Sequence, residues 1–410
     1  MEPTIGEHLA RIRRQSTLTQ EQLAEAAGVD VGVIRKLEQG TRQSARIPTL
    51  RKLAHALGVP TTALMGDASR AAARGEPDSR PLSLAEIRRA VAPVRGLAGA
   101  ELVKPMVAEP PTLDALESRL RVCDRVYHAN DFASALAMLP SLLLDARLAA
   151  AAADGVTRTS LYRLLARVQH LTGNLLIQLR AGDLAQTALA GALDAAHKAG
   201  DQVVGATVIQ GMCWLLLRQG RLAEAAELTV STADAIEPKF SRATPGELAA
   251  WGWLLMGAAA AYARDNQPDL ASDLTEAAAA AAVRIGERNP EPGHLMMVKG
   301  FDPGRVQMQR VEAAAVAGNP GRVLELSALV PPGPMVVASS WQRHRLDVAW
   351  AYAEMRQYGQ ATDVLLDLRK NAPAWLRQQR YARDIVRSIA EQRRRAMSQE
   401  LADLASLVGV

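Results

Sequence analysis

The sequence predicts an all-α protein: a small N-terminal cluster of five short helices followed by a long array of helical hairpins. Three observations carry this reading. Aromatic residues make up only 4% of the 410 residues while Ala and Leu are plentiful, a mixture that costs little side-chain entropy in a helix. Apolar residues recur at i, i+4 and i+7 rather than in alternation. A turn of similar grammar returns six times between residues 130 and 362. A chain of this length exceeds one core, so two or more domains are expected.

The first helix spans residues 5–14, with Ile5, Leu9 and Ile12 on one face. Thr19 stands at an N-cap with Gln22 as its capping-box partner, and residues 20–27 place Leu23, Ala24 and Ala27 inward before Gly28 ends the helix. Asp30 caps a third helix over residues 31–39, where Val33 or Ile34 faces the core together with Leu37. A fourth helix, 49–57, follows Pro48, and a short fifth reaches Leu64-Met65.

Gly6, Leu9, Arg13, Leu18-Thr19-Gln20, Leu23-Ala24, Ala27-Gly28-Val29, Ile34, Leu37-Glu38, Gly40 and Leu53-Ala54 together resemble the XRE (phage repressor and Cro) helix-turn-helix family over residues 4–66. The resemblance implies a DNA-binding domain, 1–66, whose third helix enters the major groove of an operator as part of a homodimer. Carried over position by position, Gln20 and Gln39 contact phosphates, while Val31, Gly32, Arg35 and Lys36 face the groove. Lys36 is placed to donate to guanine and Val31 to pack on a thymine methyl, with Arg42 and Arg46 gripping the backbone or minor groove. Val31 and Gly32 depart from the family pattern, which usually has long polar side chains there.

Charge supports this placement. The first 95 residues hold 15 basic and 10 acidic side chains, so the whole net excess of +5 lies there, where a phosphate backbone would need it. Residues 67–111 form a Pro- and Gly-rich linker in which Leu84, Ile87 and Val91 share one face of a short helix able to dock on a domain.

From residue 112 to 410, long amphipathic helices alternate with short turns. The turns read Asn130-Asp131-Phe132, Gly182-Asp183-Leu184, Gly220-Arg221-Leu222, Gln267-Pro268-Asp269, Gly318-Asn319-Pro320 and Tyr358-Gly359-Gln360, about 38 to 52 residues apart. Most are followed by an Ala at the helix crossing, such as Ala135, Ala188, Ala225 and Ala361. Hairpins of fixed grammar resemble tetratricopeptide (TPR) repeats, here with spacings longer than the standard unit. They imply a TPR-like α-solenoid, with residues 373–395 as a capping helix. The linker, the hairpin turns and Phe301-Asp302-Pro303-Gly304-Arg305-Val306 further resemble large actinobacterial regulators that join an XRE domain to such a solenoid. That resemblance implies a sensor or dimerisation domain responding to a signalling peptide, a small molecule or a small partner protein.

A solenoid's ligand face is lined by the first helix of each hairpin. Those helices carry Tyr162, Gln169, Asn174, Gln178, Trp214, Trp251, Trp253, Arg305, Gln309, Trp341 and Arg345. Asn174 with Gln178, and Arg305 with Gln309, sit one turn apart and share a face. Seven isolated His and two unpaired Cys suggest no metal site, and no phosphate loop or nucleophile elbow appears, so neither a cofactor nor an enzymatic activity is expected. No charged-then-apolar leader precedes the first helix, and the most apolar stretch, 248–263, is short of a membrane span, which predicts a cytoplasmic protein. The expected function is transcription regulation through operator DNA. An alternative is an interaction module controlled by a partner protein without a small ligand.

Overall fold

The computed structural model describes residues 5–42, 45, 47–65, 84–94, 97, 110–288, 300–331, 338–392 and 399–410, and its regular elements are all α-helices among these residues. Five open the chain: α1 (Ile5–Gln15), α2 (Gln20–Ala27), α3 (Val31–Glu38), α4 (Ile47–Ala56) and α5 (Thr62–Met65). Leu9, Leu23, Ile34, Leu37, Leu53 and Leu64, none more than 1% exposed, form their shared core. Ile34 takes the core position on α3 and Val33 is half-buried.

Local chemistry sets the boundaries. The Thr19 hydroxyl accepts from the Gln22 N–H, and the Gln22 carboxamide accepts from the Thr19 N–H, closing a capping box. Gly28 adopts φ 58°, ψ 44°, a left-handed conformation that stops α2 without a Cβ penalty. Asp30 caps α3 by accepting from the Gly32 N–H at 2.8 Å. The fourth helix starts at Ile47, earlier than its apolar spacing suggests, because Pro48 falls in the first turn, where a missing N–H costs nothing. A Cβ on Gly6 would sit 1.8 Å from the Leu37 carbonyl oxygen, so α1 and α3 cross at a distance only glycine permits.

The linker contributes α6 (Ala85–Val91), whose Leu84, Ile87, Ala90 and Val91 are buried. It packs on α8 (Phe132–Ala152), from which Arg147 donates to the carbonyl oxygens of Ala90 and Val91. This short helix therefore docks on its own chain. By length and composition α8 is also the one described helix that could cross a membrane. Its Leu139, Leu142, Leu143 and Ala146 are nevertheless fully buried against neighbouring helices, as in a core helix.

Six hairpins follow. They pair α7 (Leu113–His128) with α8, α9 (Gly155–Gln178) with α10 (Gly182–Lys198), and α11 (Gln202–Gln219) with α12 (Leu222–Ala235). The next three pair α13 (Pro245–Arg264) with α14 (Pro268–Arg288), α15 (Pro303–Val316) with α16 (Pro320–Ser327), and α17 (Ala338–Glu354) with α18 (Tyr358–Asn371). Every hairpin turn uses the same device. Asn130, Arg180, Gly220, Asn266, Gly318 and Arg356 are left-handed, with φ between 59° and 78°. The N–H of the next residue then reaches back five residues to a helix carbonyl at 2.8–3.2 Å, as in a Schellman motif. Five places after each left-handed residue stands a buried small side chain: Ala135, Ala185, Ala225, Ala271, Val323 and Ala361. The second turn thus lies at Arg180-Ala181, ahead of Gly182-Asp183, and Ala185 rather than Ala188 occupies the recurrent position.

The array curls until its ends meet. Asn130 Nδ2 donates to Gln342 Oε1 at 3.4 Å and Arg180 Nη2 to the Gln378 carbonyl at 3.0 Å. One hydrophobic core accordingly joins residues of α6 to α11 with those of α17 onward. The C-terminal segment is not the single helix expected over 373–395 but α19 (Pro373–Gln378) and α20 (Arg380–Gln392), followed by α21 (Gln399–Val408). The break falls at Gln379, which turns to an extended ψ of 109° while its carboxamide donates to the Trp375 carbonyl. This tucks Trp375, only 2% exposed, beneath the ring of hairpins. Arg393 to Arg395 lie outside the described residues.

Candidate nucleic-acid interface and interior cavity

The outer face of α3 presents exposed Arg35 and Lys36, with exposed Gln39 after the helix end and exposed Arg42 in the turn beyond. Arg35 donates to Glu21 at 2.5 Å across a solvent-exposed pair. Val31 and Gly32 are half-buried, and Val31 packs against the domain core. A side chain on Gly32 would begin 2.8 Å from the Asp30 carboxylate that caps the helix. Gln20 directs its carboxamide to Glu38 at 2.7 Å. Arg46 lies outside the described residues.

Behind this face, Glu38 knits three helices together. It accepts from Arg13 Nε at 2.7 Å, Arg13 Nη2 at 2.9 Å and Gln20, while Arg13 Nη1 also holds the Leu18 carbonyl. Burial alone would raise the Glu38 carboxyl, but the hydrogen bonds from Arg13 and Gln20 more than offset it and hold it below its ordinary value. The C-terminal end of α3 is thereby tied to α1 and α2.

The second site is interior. The first helices of all six hairpins, α7, α9, α11, α13, α15 and α17, surround one cavity of about 1080 Å³, with Trp375 and Gln379 closing part of its wall. Most of these helices turn polar side chains inward: His170, Asn174 and Gln178 on α9, Gln210, Trp214 and Arg218 on α11, and Arg305, Gln309 and Glu312 on α15. On α17, Arg343, His344 and Asp347 do the same, as does Arg264 at the end of α13. Arg264 is ion-paired with Glu312, and Arg343 lies 3.6 Å from Asp347. Burial presses His170 and His344 down to about 4, so both are neutral near pH 7. Burial raises Asp347, with Glu312 adding repulsion and Arg343 opposing it.

Of the ligand-facing candidates read from the sequence, Asn174, Gln178, Trp214, Trp253, Arg305 and Gln309 stand together around this cavity, and Tyr162 and Gln169 do not line it. Trp251 does not line it; it is buried against Phe240, ring centroids 5.7 Å apart. Trp341 packs in an outer cluster, and Arg345 lies over its ring at 5.9 Å. His170, Gln210, Arg218, Glu312, Arg343, His344 and Asp347 join the cavity although the sequence reading passed over them. The available signal was polar residues at i, i+4 and i+8 within helices otherwise buried all round.

The two sites are linked by one turn. Thr61, fully buried after α4, donates its hydroxyl to the Arg264 carbonyl at 3.1 Å and its N–H to the Asp265 carbonyl at 3.4 Å. His55 pairs with Asn266 at 3.2 Å. Burial at this junction, with repulsion from Arg264, pushes Arg51 down to about 10. The turn that anchors the N-terminal domain thus belongs to the helix carrying cavity residue Arg264.

This geometry mounts a five-helix N-terminal domain on a closed helical array. Residues 9–64 match the family model described as Helix-turn-helix. Sixty-two residues, 15% of this chain, are 39% identical to the HTH-type transcriptional repressor RghR of Bacillus subtilis (strain 168). The match covers 46% of that protein, about half its length. No solved structure gives a significant match.

Proposed function

We propose that the chain is a DNA-binding transcription regulator in which α3 reads an operator and the helical array senses a signal. The observation that carries this is orientation. The N-terminal domain is held through α4 and Thr61, which leaves Arg35 and Lys36 of α3 exposed to solvent. Similarity to a transcriptional repressor supports the same reading. Gln20, Val31, Gly32, Gln39, Arg42 and Arg46 complete the proposed interface. A homodimer would place two α3 helices about one DNA turn apart, roughly 34–36 Å.

Electrophoretic mobility shift on DNA upstream of the gene tests this. Lys36→Ala is expected to weaken specific binding by about tenfold and relax sequence preference, the signature of a base contact. Arg42→Ala is expected to weaken binding to all sequences alike and flatten the salt dependence. Unchanged affinity in both variants would remove the assigned face.

For the array, an interior cavity of about 1080 Å³ suits a small molecule better than an extended partner surface. Occupancy there would act on Arg264 and Glu312, and through the α13–α14 turn on Thr61 and the DNA-binding domain. Sensing of this kind is the reading favoured over control by a partner protein alone.

A further inference from the structure

The cavity wall is chemically unfinished. Eight buried side-chain atoms among the described residues have no hydrogen-bond partner, and seven belong to residues lining this one cavity. They are Arg305 Nε, Arg343 Nε, Asn174 Oδ1, Gln178 Oε1, Gln210 Oε1, His344 Nδ1 and Asp347 Oδ1. Gln178, His344 and Asp347 are each at least nine-tenths buried. Folded proteins rarely leave such atoms unmet, because each costs about 1–3 kcal/mol. Their convergence on a single space marks groups waiting for a partner that enters it.

Charge says which partner. Seven arginines and four carboxylates line the cavity, three more arginines than carboxylates, and His170 and His344 add no charge. Arg264 is taken by Glu312 and Arg343 by Asp347. Among the described residues, Arg218 and Arg305 have no carboxylate within ion-pair distance and rest instead on ring faces, Arg218 over Trp214 at 5.1 Å and Arg305 over Trp253 at 5.2 Å. Stacking leaves a guanidinium edge free to fork onto an anion. Leu120, Leu171, Met256 and Met308 supply apolar wall between these polar groups.

We propose that the cavity binds a small organic anion, a carboxylate or phosphate on an apolar body. Arg218 and Arg305 hold its charge, and the carboxamide oxygens of Asn174, Gln178 and Gln210 accept from its hydrogen-bond donors. This deepens the sensing reading above and rests on it only for its regulatory meaning. The site itself stands on the wall chemistry.

The test uses full-length protein and its tryptophan fluorescence, to which Trp214, Trp253 and Trp375 contribute from the cavity wall, titrated at constant ionic strength with four phenyl-bearing probes of similar size. These are 3-phenylpropionate, phenyl phosphate, 3-phenylpropionamide and 3-phenylpropylamine. Both anions are expected to saturate the signal at least about tenfold more tightly than the amide, with the amine weakest, since a charged hydrogen bond outweighs a neutral one. The preferred anion identifies carboxylate or phosphate as the natural head group. Arg305→Gln should weaken anion binding about tenfold and leave the amide unchanged, with Arg305→Lys intermediate. Thermal melting confirms that both variants fold. Amide or amine binding as tightly as the anions overturns the proposal, as does anion binding indifferent to Arg305→Gln, or no saturable binding of any probe. The same probes in the mobility-shift assay separate the two readings. Anion binding without a change in DNA affinity removes sensing and leaves the site, whereas a response to the amine alone removes the anion and leaves sensing.

Discussion

Glu38 collects hydrogen bonds from Arg13 and Gln20 beneath the face proposed to meet DNA. Replacing it with Ala would strand the half-buried Arg13 guanidinium, and a loss of about 3 kcal/mol is expected in thermal or urea unfolding of the N-terminal domain. Because the folded carboxyl is depressed, its contribution is present above the ordinary value of 4.5 and is lost as pH falls below that value. His170 titrates in a different window. Its folded value of about 4 lies below the ordinary 6.5, so the helical array should lose stability as pH falls from about 6.5 toward 4. Melting temperatures across that range should fall less in His170→Gln than in the parent protein. Gly6→Ala should cost about 1–3 kcal/mol by pushing α1 away from the Leu37 carbonyl. Gly6, Arg13 and Glu38 were all visible in the sequence as motif positions. That Glu38 buttresses Gln20 was not, since the pairing spans 18 residues and exists only once α2 and α3 are packed.

At the scale of the helix, the six turns were the most legible feature, because each repeats a local conformation with a local signature. The slip at the second has a physical cause: Gly182-Asp183 looks like a turn, yet Arg180 supplies the left-handed residue and Gly182 begins α10. Arg356 is likewise left-handed, exposed and β-carbon bearing. Arg356→Gly should raise stability by up to about 1 kcal/mol, read as a higher melting temperature with unchanged helicity. The inner stripes were half legible. Asn174 with Gln178 and Arg305 with Gln309 stand out by spacing, but polar residues at i and i+4 read equally as a solvated face. Only closure of the array turns them inward, and closure rests on contacts such as Asn130 with Gln342, 212 residues apart, which leave no local trace.

Over the whole molecule, the N-terminal domain and the cavity meet at the Arg264–Asn266 turn. Thr61→Val removes the hydroxyl bond to the Arg264 carbonyl while keeping the side chain's shape. The expected result is an unchanged anion affinity by tryptophan fluorescence together with a smaller effect of that anion on DNA binding. An equal effect in the variant would place the coupling elsewhere. Nothing in the sequence marked Thr61, because its partner lies 203 residues away.

The residues that set the hairpins and those that line the cavity are disjoint sets. None of the six left-handed positions, nor the six small residues that follow them, touches the interior. A change at Gln210 or Gln309 therefore alters what the chamber accepts while leaving the register of every hairpin as it was. Such a scaffold can change its preferred molecule through single substitutions, each intermediate still folded, so recognition is free to drift on a frame that stays fixed.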